Sequence, residues 1–283
     1  MVLAQRAKWL YAVAGSGVVL GMFSYFQSEK KCAEMSWTTN FEPSVKWDYN
    51  WDRREPLSMI KPAEKENDPI EQNRINEQKV KVTPTATRHL FLIRHGQYNE
   101  SAKADVDRRL TELGIKQAQA VGQRLLDLKF NYTSLVRSSM TRAIETSDII
   151  LKNFPDLSVK TDDVLREGAP IPPEPPVGYY KPESKKYFED GARIEAAFRK
   201  YFHRAEAKQK SDSYEIIVCH ANVIRYFVCR ALQFPPEAWL RFSLHHCSIT
   251  WVAIPPTGRV RVYAIGDSGH LSKDKMTTKY KTH

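Results

Sequence analysis

His89-Leu90-Phe91-Leu92-Ile93-Arg94-His95-Gly96 is a short apolar run closed by an arginine, a histidine and a glycine. Its length suits a buried strand, and a helical pattern follows it: Leu113, Ala118, Val121 and Leu125 recur at helical spacing within Thr111–Leu128, with Thr111, Glu112 and Gly114 marking the start. The alternation continues toward the C-terminus. Strands are predicted at Ser134–Arg137, Val159–Leu165 and Glu215–Cys219, and helices at Met140–Lys152, Asp190–Lys208 and Asn222–Leu232. Two last strands, Ser248–Ile254 and Arg259–Ile265, flank a turn at Pro255–Gly258. Strands alternating with helices define an α/β fold, a three-layer α/β/α sandwich with a mainly parallel sheet. The proline-rich excursion from Pro170 to Pro182 is too long and stiff for a simple connector and reads as a lid or a substrate wall.

In such sheets ligands bind beyond the carboxyl ends of the strands, and the chemically able residues gather there. The first strand ends in Arg94-His95-Gly96-Gln97. The second leads through Ser138 into Thr141-Arg142-Ala143-Ile144-Glu145-Thr146. The third ends in Arg166-Glu167-Gly168, and the strand Glu215–Cys219 ends in His220-Ala221-Asn222. Two histidines, two or three arginines and a glutamate on one rim describe a phosphoryl-transfer site, because arginine forks match phosphate oxygens bidentately. The sequence has no His-Glu-x-x-His, no paired aspartates at ligand spacing and no Walker-type glycine loop, so neither a metal nor another cofactor is expected.

Outward from this domain the composition changes. Residues 29–87 are polar and interrupted by Pro43, Pro56, Pro62, Pro69 and Pro84, a linker by composition. Within it stands Trp47-Asp48-Tyr49-Asn50-Trp51-Asp52, whose two tryptophans either bury against another surface or stack within a local turn. Residues 1–28 hold the uncharged stretch Leu10–Phe26, preceded by Arg6 and Lys8 and edged by Trp9, Tyr11, Tyr25 and Phe26. A span needs about 20 apolar residues, or down to about 17, so this reads as a single-pass membrane anchor. A cleaved presequence or a buried core helix is the alternative. The catalytic unit is assigned to residues 88–270, and 271–283 to a basic tail.

The formal net charge of +10 suits an anionic partner: a phosphorylated substrate, an acidic membrane lipid surface or nucleic acid. Nucleic acid is the least favoured, since no zinc-finger spacing, RNP-like run or basic-zipper pattern occurs. Cys32, Cys219, Cys229 and Cys247 form no Cys-x-x-Cys pair and read as buried thiols in a reducing compartment.

Leu92-Ile93-Arg94-His95-Gly96, the Ser138…Arg142-Ala143…Thr146 spacing and Cys219-His220-Ala221-Asn222 together resemble the signature blocks of the histidine phosphatase superfamily, the phosphoglycerate-mutase-like family, over Arg88–Gly269. Ser138-Ser139-Met140-Thr141-Arg142, Glu189-Asp190-Gly191-Ala192-Arg193 and Ala231-Leu232-Gln233-Phe234-Pro235-Pro236 are similar to its mitochondrial serine/threonine phosphatase branch, as are the anchor and the Trp-Asp-x-Asn-Trp-Asp segment. The resemblance implies a phosphoglycerate-mutase-like fold and a metal-free protein phosphatase. His95 would be the nucleophile, Arg94, Arg142 and His220 would hold phosphoryl oxygens, and Glu167 would be the general acid. Gly96, Ala221 and Asn222 would support substrate binding. It further implies phosphorylated protein substrates and self-assembly through Trp47, Asp48, Asn50, Trp51 and Asp52. A mitochondrial membrane, the outer one favoured, and a role in mitochondrial quality control and stress or cell-death signalling are also implied by resemblance.

Two departures stand out. His245-His246-Cys247 replaces the family's asparagine and small residues, which opens the question of local hydrogen bonding there. The acidic Glu-Ser-Gly-Glu element that recruits a redox-sensing adaptor in mammalian members does not occur between residues 53 and 87, so that partner is not expected. A small-molecule phosphatase or mutase on the same fold, and a phosphoprotein-binding scaffold, are the competing functions.

Overall fold

The apolar run quoted first forms the centre of the sheet. In the computed structural model, which describes residues 43–65 and 68–278, strand β1 (Arg88–Arg94) is buried along nearly its whole length. It pairs in parallel with β4 (Ser213–Cys219) on one side and antiparallel with β5 (Ile249–Ile254) on the other. With β2 (Ser134–Ser138), β3 (Val159–Asp162) and β6 (Arg261–Asp267), the six-stranded order is β3-β2-β4-β1-β5-β6. The pairings among β1 to β4 are parallel, and β5 and β6 add an antiparallel edge.

Helices cover both faces, which is why successive residues of β1 are apolar without a polar alternate. Helix α2 (Glu112–Asp127) begins where the Thr111 hydroxyl accepts from Gly114 N at 3.1 Å. Its Ala118, Val121 and Leu125 pack with Ala143 and Ile150 of α3 (Thr141–Leu151) on Phe91, Ile93, Leu135, Ile216 and Val218. The intervening Leu90, Leu92 and Ile217 are equally buried. Helices α4 (Ser184–Tyr201) and α5 (Ala221–Ala231) meet through Phe198, Phe202 and Phe227, whose ring centroids lie 5.0–6.1 Å apart.

Most elements shift by one or two residues from the sequence reading, and three differences are larger. Strand β3 stops at Asp162, because that carboxylate accepts from Val164 N and opens a 3-10 turn that buries Leu165. Helix α4 starts at Ser184 and ends at Tyr201, not Lys208, since Phe202 is already extended. The segment read as a linker contains helix α1 (Pro69–Val82), with Asp68 as N-cap and Pro69 in the first turn, and none of its residues is buried. The end of the chain set apart as a basic tail is not free as far as it is described: His246 N donates to Thr277 O at 2.9 Å.

Residues 43–47 belong to a separate unit, Met1–Trp47, and carry no regular element. Leu10–Phe26 and Cys32 lie outside the described residues. Among the described residues no helix is long and apolar enough to cross a membrane.

Candidate active site

Backbone hydrogen bonds fix the nucleophile candidate where β1 ends. His95 N donates to Cys219 O at 3.0 Å, Cys247 N donates to Arg94 O at 3.0 Å, and Gly96 N donates to Thr146 Oγ1 at 3.0 Å. A Cβ on Gly96 would stand 2.7 Å from Gly114 O, so only glycine allows the loop to lie against the start of α2. Gly96 therefore shapes the loop; its N–H is already taken, and it is not among the residues lining the cleft.

His95 is 2% exposed and its Nδ1 lies 2.8 Å from Gly96 O. A carbonyl can only accept, so the proton resides on Nδ1 and the lone pair on Nε2. Burial, reinforced by the charge of Arg142, holds the His95 pKa far below the usual histidine range. The ring is neutral, and its Nε2 lone pair accepts from Arg142 Nε at 3.2 Å.

Arg142 sits in the first turn of α3, 3% exposed, with its guanidinium 4.6 Å above the Tyr98 ring. Asp105 holds that turn by accepting from Thr141 N at 3.1 Å, and lies 3.5 Å from Arg142 Nη1. Arg94 is equally buried, and burial together with the nearby Arg225 charge lowers its pKa to about 10. His220 caps α5 with its ring centroid 5.1 Å from that of His95. Its Nε2 lies 2.8 Å from Ser138 Oγ, and its Nδ1 is buried without a partner, as is Arg94 Nε. Buried polar atoms left unpaired are costly, and the Arg94 Nε–H in particular is a donor that an anion could engage.

Glu167 follows the 3-10 turn after β3. Gly168 N donates to its Oε1 at 3.2 Å, yet burial raises its pKa, outweighing the opposing pull of Arg142. The carboxyl is thereby kept a proton donor to higher pH than an ordinary glutamate. Asn222 Nδ2 donates to Gly168 O at 2.9 Å, and Asn222 and Ala221 line the cleft beside Glu167.

The structure thus brings Arg94, His95, Arg142, Glu167, Ala221 and Asn222 around one cleft of about 110 Å³; the His220 ring lies 5.1 Å from that of His95 and is not among the residues lining the cleft. The structure adds residues that the sequence reading missed. Tyr98 lies three positions after His95, and Arg225 lies three after Asn222, hence on the same helix face, a spacing that could have flagged it. Tyr180 comes from the proline-rich excursion, which does form a wall. Thr278 reaches the cleft from the C-terminal segment, for which the sequence carries no signal. Among the described residues, no group of three or more His, Cys, Asp and Glu side chains could hold a metal.

The segment Asp48–Asp52 is seated on the rest of its own chain. Trp51 Nε1 donates to Gly258 O at 2.9 Å and its ring lies 5.9 Å from that of Phe198. Asp52 accepts from Arg204 N at 2.8 Å and pairs with the Arg204 guanidinium at 3.2 Å, both side chains buried. Asp48 and Gln233 exchange two hydrogen bonds of 2.8 and 2.9 Å. Asn50 Oδ1 accepts from Glu55 N at 3.0 Å, shaping the segment internally. Within this chain, therefore, Trp51 and Asp52 are buried against Gly258, Phe198 and Arg204 of the same chain. Trp47 falls in the preceding unit.

An α/β domain that gathers a buried neutral histidine, two buried arginines, a second histidine and a protonatable glutamate at its strand ends has the groups that phosphoryl transfer needs. The sequence model of the histidine phosphatase superfamily (branch 1) matches residues 90–169 and 174–265, and the chain belongs to that family. Among its relatives, the rat protein named serine/threonine-protein phosphatase PGAM5, mitochondrial, is 54% identical over 243 residues, 86% of this chain and 84% of that protein. The protein of the same name from Drosophila ananassae is 48% identical over 271 residues, 94% of this chain and 93% of its own length. Of solved structures, Bacillus stearothermophilus YhfR superposes with a TM-score of 0.51 at 21% identity, covering 65% of this chain and 98% of that one, a likeness of fold.

Proposed function

We propose that this chain is a mitochondrial protein-serine/threonine phosphatase that works through a phosphohistidine at His95. The observation that carries the reading is the juxtaposition of an unprotonated His95 Nε2 with Arg142 Nε at 3.2 Å, on a rim shared with a glutamate whose pKa is raised. In the first step Nε2 attacks phosphorus while the Glu167 carboxylic acid gives its proton to the departing seryl or threonyl oxygen. Arg94, Arg142 and His220 Nδ1–H stabilise the charge spreading over the phosphoryl oxygens. In the second, Glu167, now a carboxylate, takes a proton from water as that water attacks phosphorus and frees His95.

The function of the relatives by name supports a phosphoprotein substrate. The purified chain should release phosphate from a phosphothreonine peptide far faster than it turns over 3-phosphoglycerate. The reverse order would make it a small-molecule enzyme, and binding of the peptide without release would make it a scaffold.

In this reading Leu10–Phe26 anchors the chain in the outer mitochondrial membrane, and Trp47–Asp52 assembles copies by taking the seat around Gly258 and Arg204 on another chain. Trp51 fills the same seat in its own chain, so exchange between copies leaves its burial unchanged, and assembly is favoured by the high effective concentration of chains on a membrane. One preparation tests both ideas. Removing residues 1–28 should leave a soluble, active enzyme that sediments as an oligomer, and adding Trp47→Ala with Trp51→Ala should reduce it to small species. Vesicle flotation of the truncated protein would rule out the anchor; unchanged assemblies in the double variant would rule out the motif.

A further inference from the structure

His246 and Thr277 take no part in the proposed chemistry, yet they join the two ends of the signature loop. Arg94 Nη2 lies 3.0 Å from His246 Nε2, and arginine can only donate. His246 Nε2 is therefore the acceptor, and its proton sits on Nδ1, 2.9 Å from Thr277 Oγ1. The same hydroxyl oxygen accepts from Gln117 Nε2 at 2.8 Å, and Gln117 Oε1 accepts from Gln97 N at 2.8 Å. The path runs from Arg94 through His246, Thr277 and Gln117 to Gln97, so it begins and ends on residues flanking His95. Each of its four links pairs a donor with an acceptor, while Arg94 Nε is left unpartnered.

The chemistry of this path is selective. Arg94 is buried, and its two terminal nitrogens are held by a carbonyl, Leu244 O at 2.5 Å, and by an imidazole. Both acceptors are uncharged. They orient the guanidinium without cancelling the charge that an anionic substrate must meet, which a carboxylate in place of His246 would do. This also answers the question raised by His245-His246-Cys247: the unusual histidine is fully buried against Arg94, with Thr277 on its far side.

We propose that His246 and Thr277 are positioning residues that hold Arg94 for the phosphoryl group, making the C-terminal segment part of the active site. The inference rests on the phosphatase reading above. Thr277→Val keeps the shape and removes the acceptor, Thr277→Ser restores it, and His246→Asn offers a neutral amide in place of the ring. In the full chain, Thr277→Val should lower kcat/KM on an aryl phosphate about tenfold and weaken competitive inhibition by inorganic phosphate to a similar degree, at nearly unchanged Tm. His246→Leu should lose about a hundredfold on both measures. Thr277→Ser and His246→Asn should recover most of the loss. The proposal is overturned if Thr277→Val keeps wild-type kcat/KM and phosphate inhibition, if neither conservative variant recovers them, or if the losses follow Tm alone. Were the wild-type chain to hydrolyse no phosphoester, the phosphatase reading would fail, while phosphate binding by wild-type and Thr277→Val proteins would still decide the positioning role.

Discussion

His95→Ala is expected to abolish labelling by a radioactive phosphoester and to lower kcat by at least about four orders of magnitude, the scale seen when a covalent nucleophile is removed. The expectation follows from geometry. Nδ1 is tied to Gly96 O, leaving Nε2 as the ring's lone pair, and burial keeps that lone pair unprotonated across the physiological range. No neighbour can substitute. His220 is fully buried with Nε2 engaged by Ser138, and the described thiols Cys219, Cys229 and Cys247 are buried, with burial pushing their pKa values up. The wild-type adduct should be acid-labile and base-stable, as a phosphorus–nitrogen bond is and a phosphoserine ester is not. Chelators should leave its formation unchanged. Acid-stable labelling, or a His95→Ala enzyme that still turns over at full rate, would refute the mechanism.

Glu167→Gln is expected to separate substrates by their leaving groups. A seryl alkoxide leaves poorly without a proton, so hydrolysis of a phosphoserine peptide should fall by about 10²–10⁴-fold. A nitrophenolate needs little protonation, and its release should fall far less. The pH profile carries the sign of the same effect. Glu167 must be protonated to act as the acid, and burial raises its pKa, so the wild-type rate on the peptide should hold at low pH and decline as pH rises through that raised value. The glutamine variant should lack this decline. Equal losses on both substrates would reassign Glu167 to binding.

The candidate site residues on the signature loop and strand ends could be placed from the sequence because each lies within a few positions of a strand whose apolar pattern is plain. Arg94 and His95 follow Leu90–Ile93, and His220 follows Ile216–Cys219. Helix α1 was not readable, since it buries no residue and so has no apolar stripe; Asp68 and Pro69 were its only signals. The early start of α4 was hidden for a similar reason, as Phe188 in its first turns is 84% exposed. His246 and Thr277 illustrate the deeper limit. They meet only because β5 and the C-terminal segment both return to the end of β1, and no local pattern announces a contact made by tertiary folding.

Strand β1 also sets a timetable. It is the first strand of the domain in chain order, but both of its sheet partners, β4 and β5, come from the last third of the described chain. During synthesis Leu90–Ile93 must therefore wait, apolar and with both edges open, while the segments forming β2, β3, α2, α3 and α4 emerge. Long-range pairing of this kind slows folding and leaves an exposed sticky strand, the circumstance in which chaperones are needed and aggregation competes. The proposed nucleophile, His95, sits immediately after that strand, and its N–H is held by the carbonyl of Cys219, the last residue of β4. A nascent chain consequently has no formed active site until β4 arrives, so a partly made enzyme carries the signature sequence without the geometry that gives it activity.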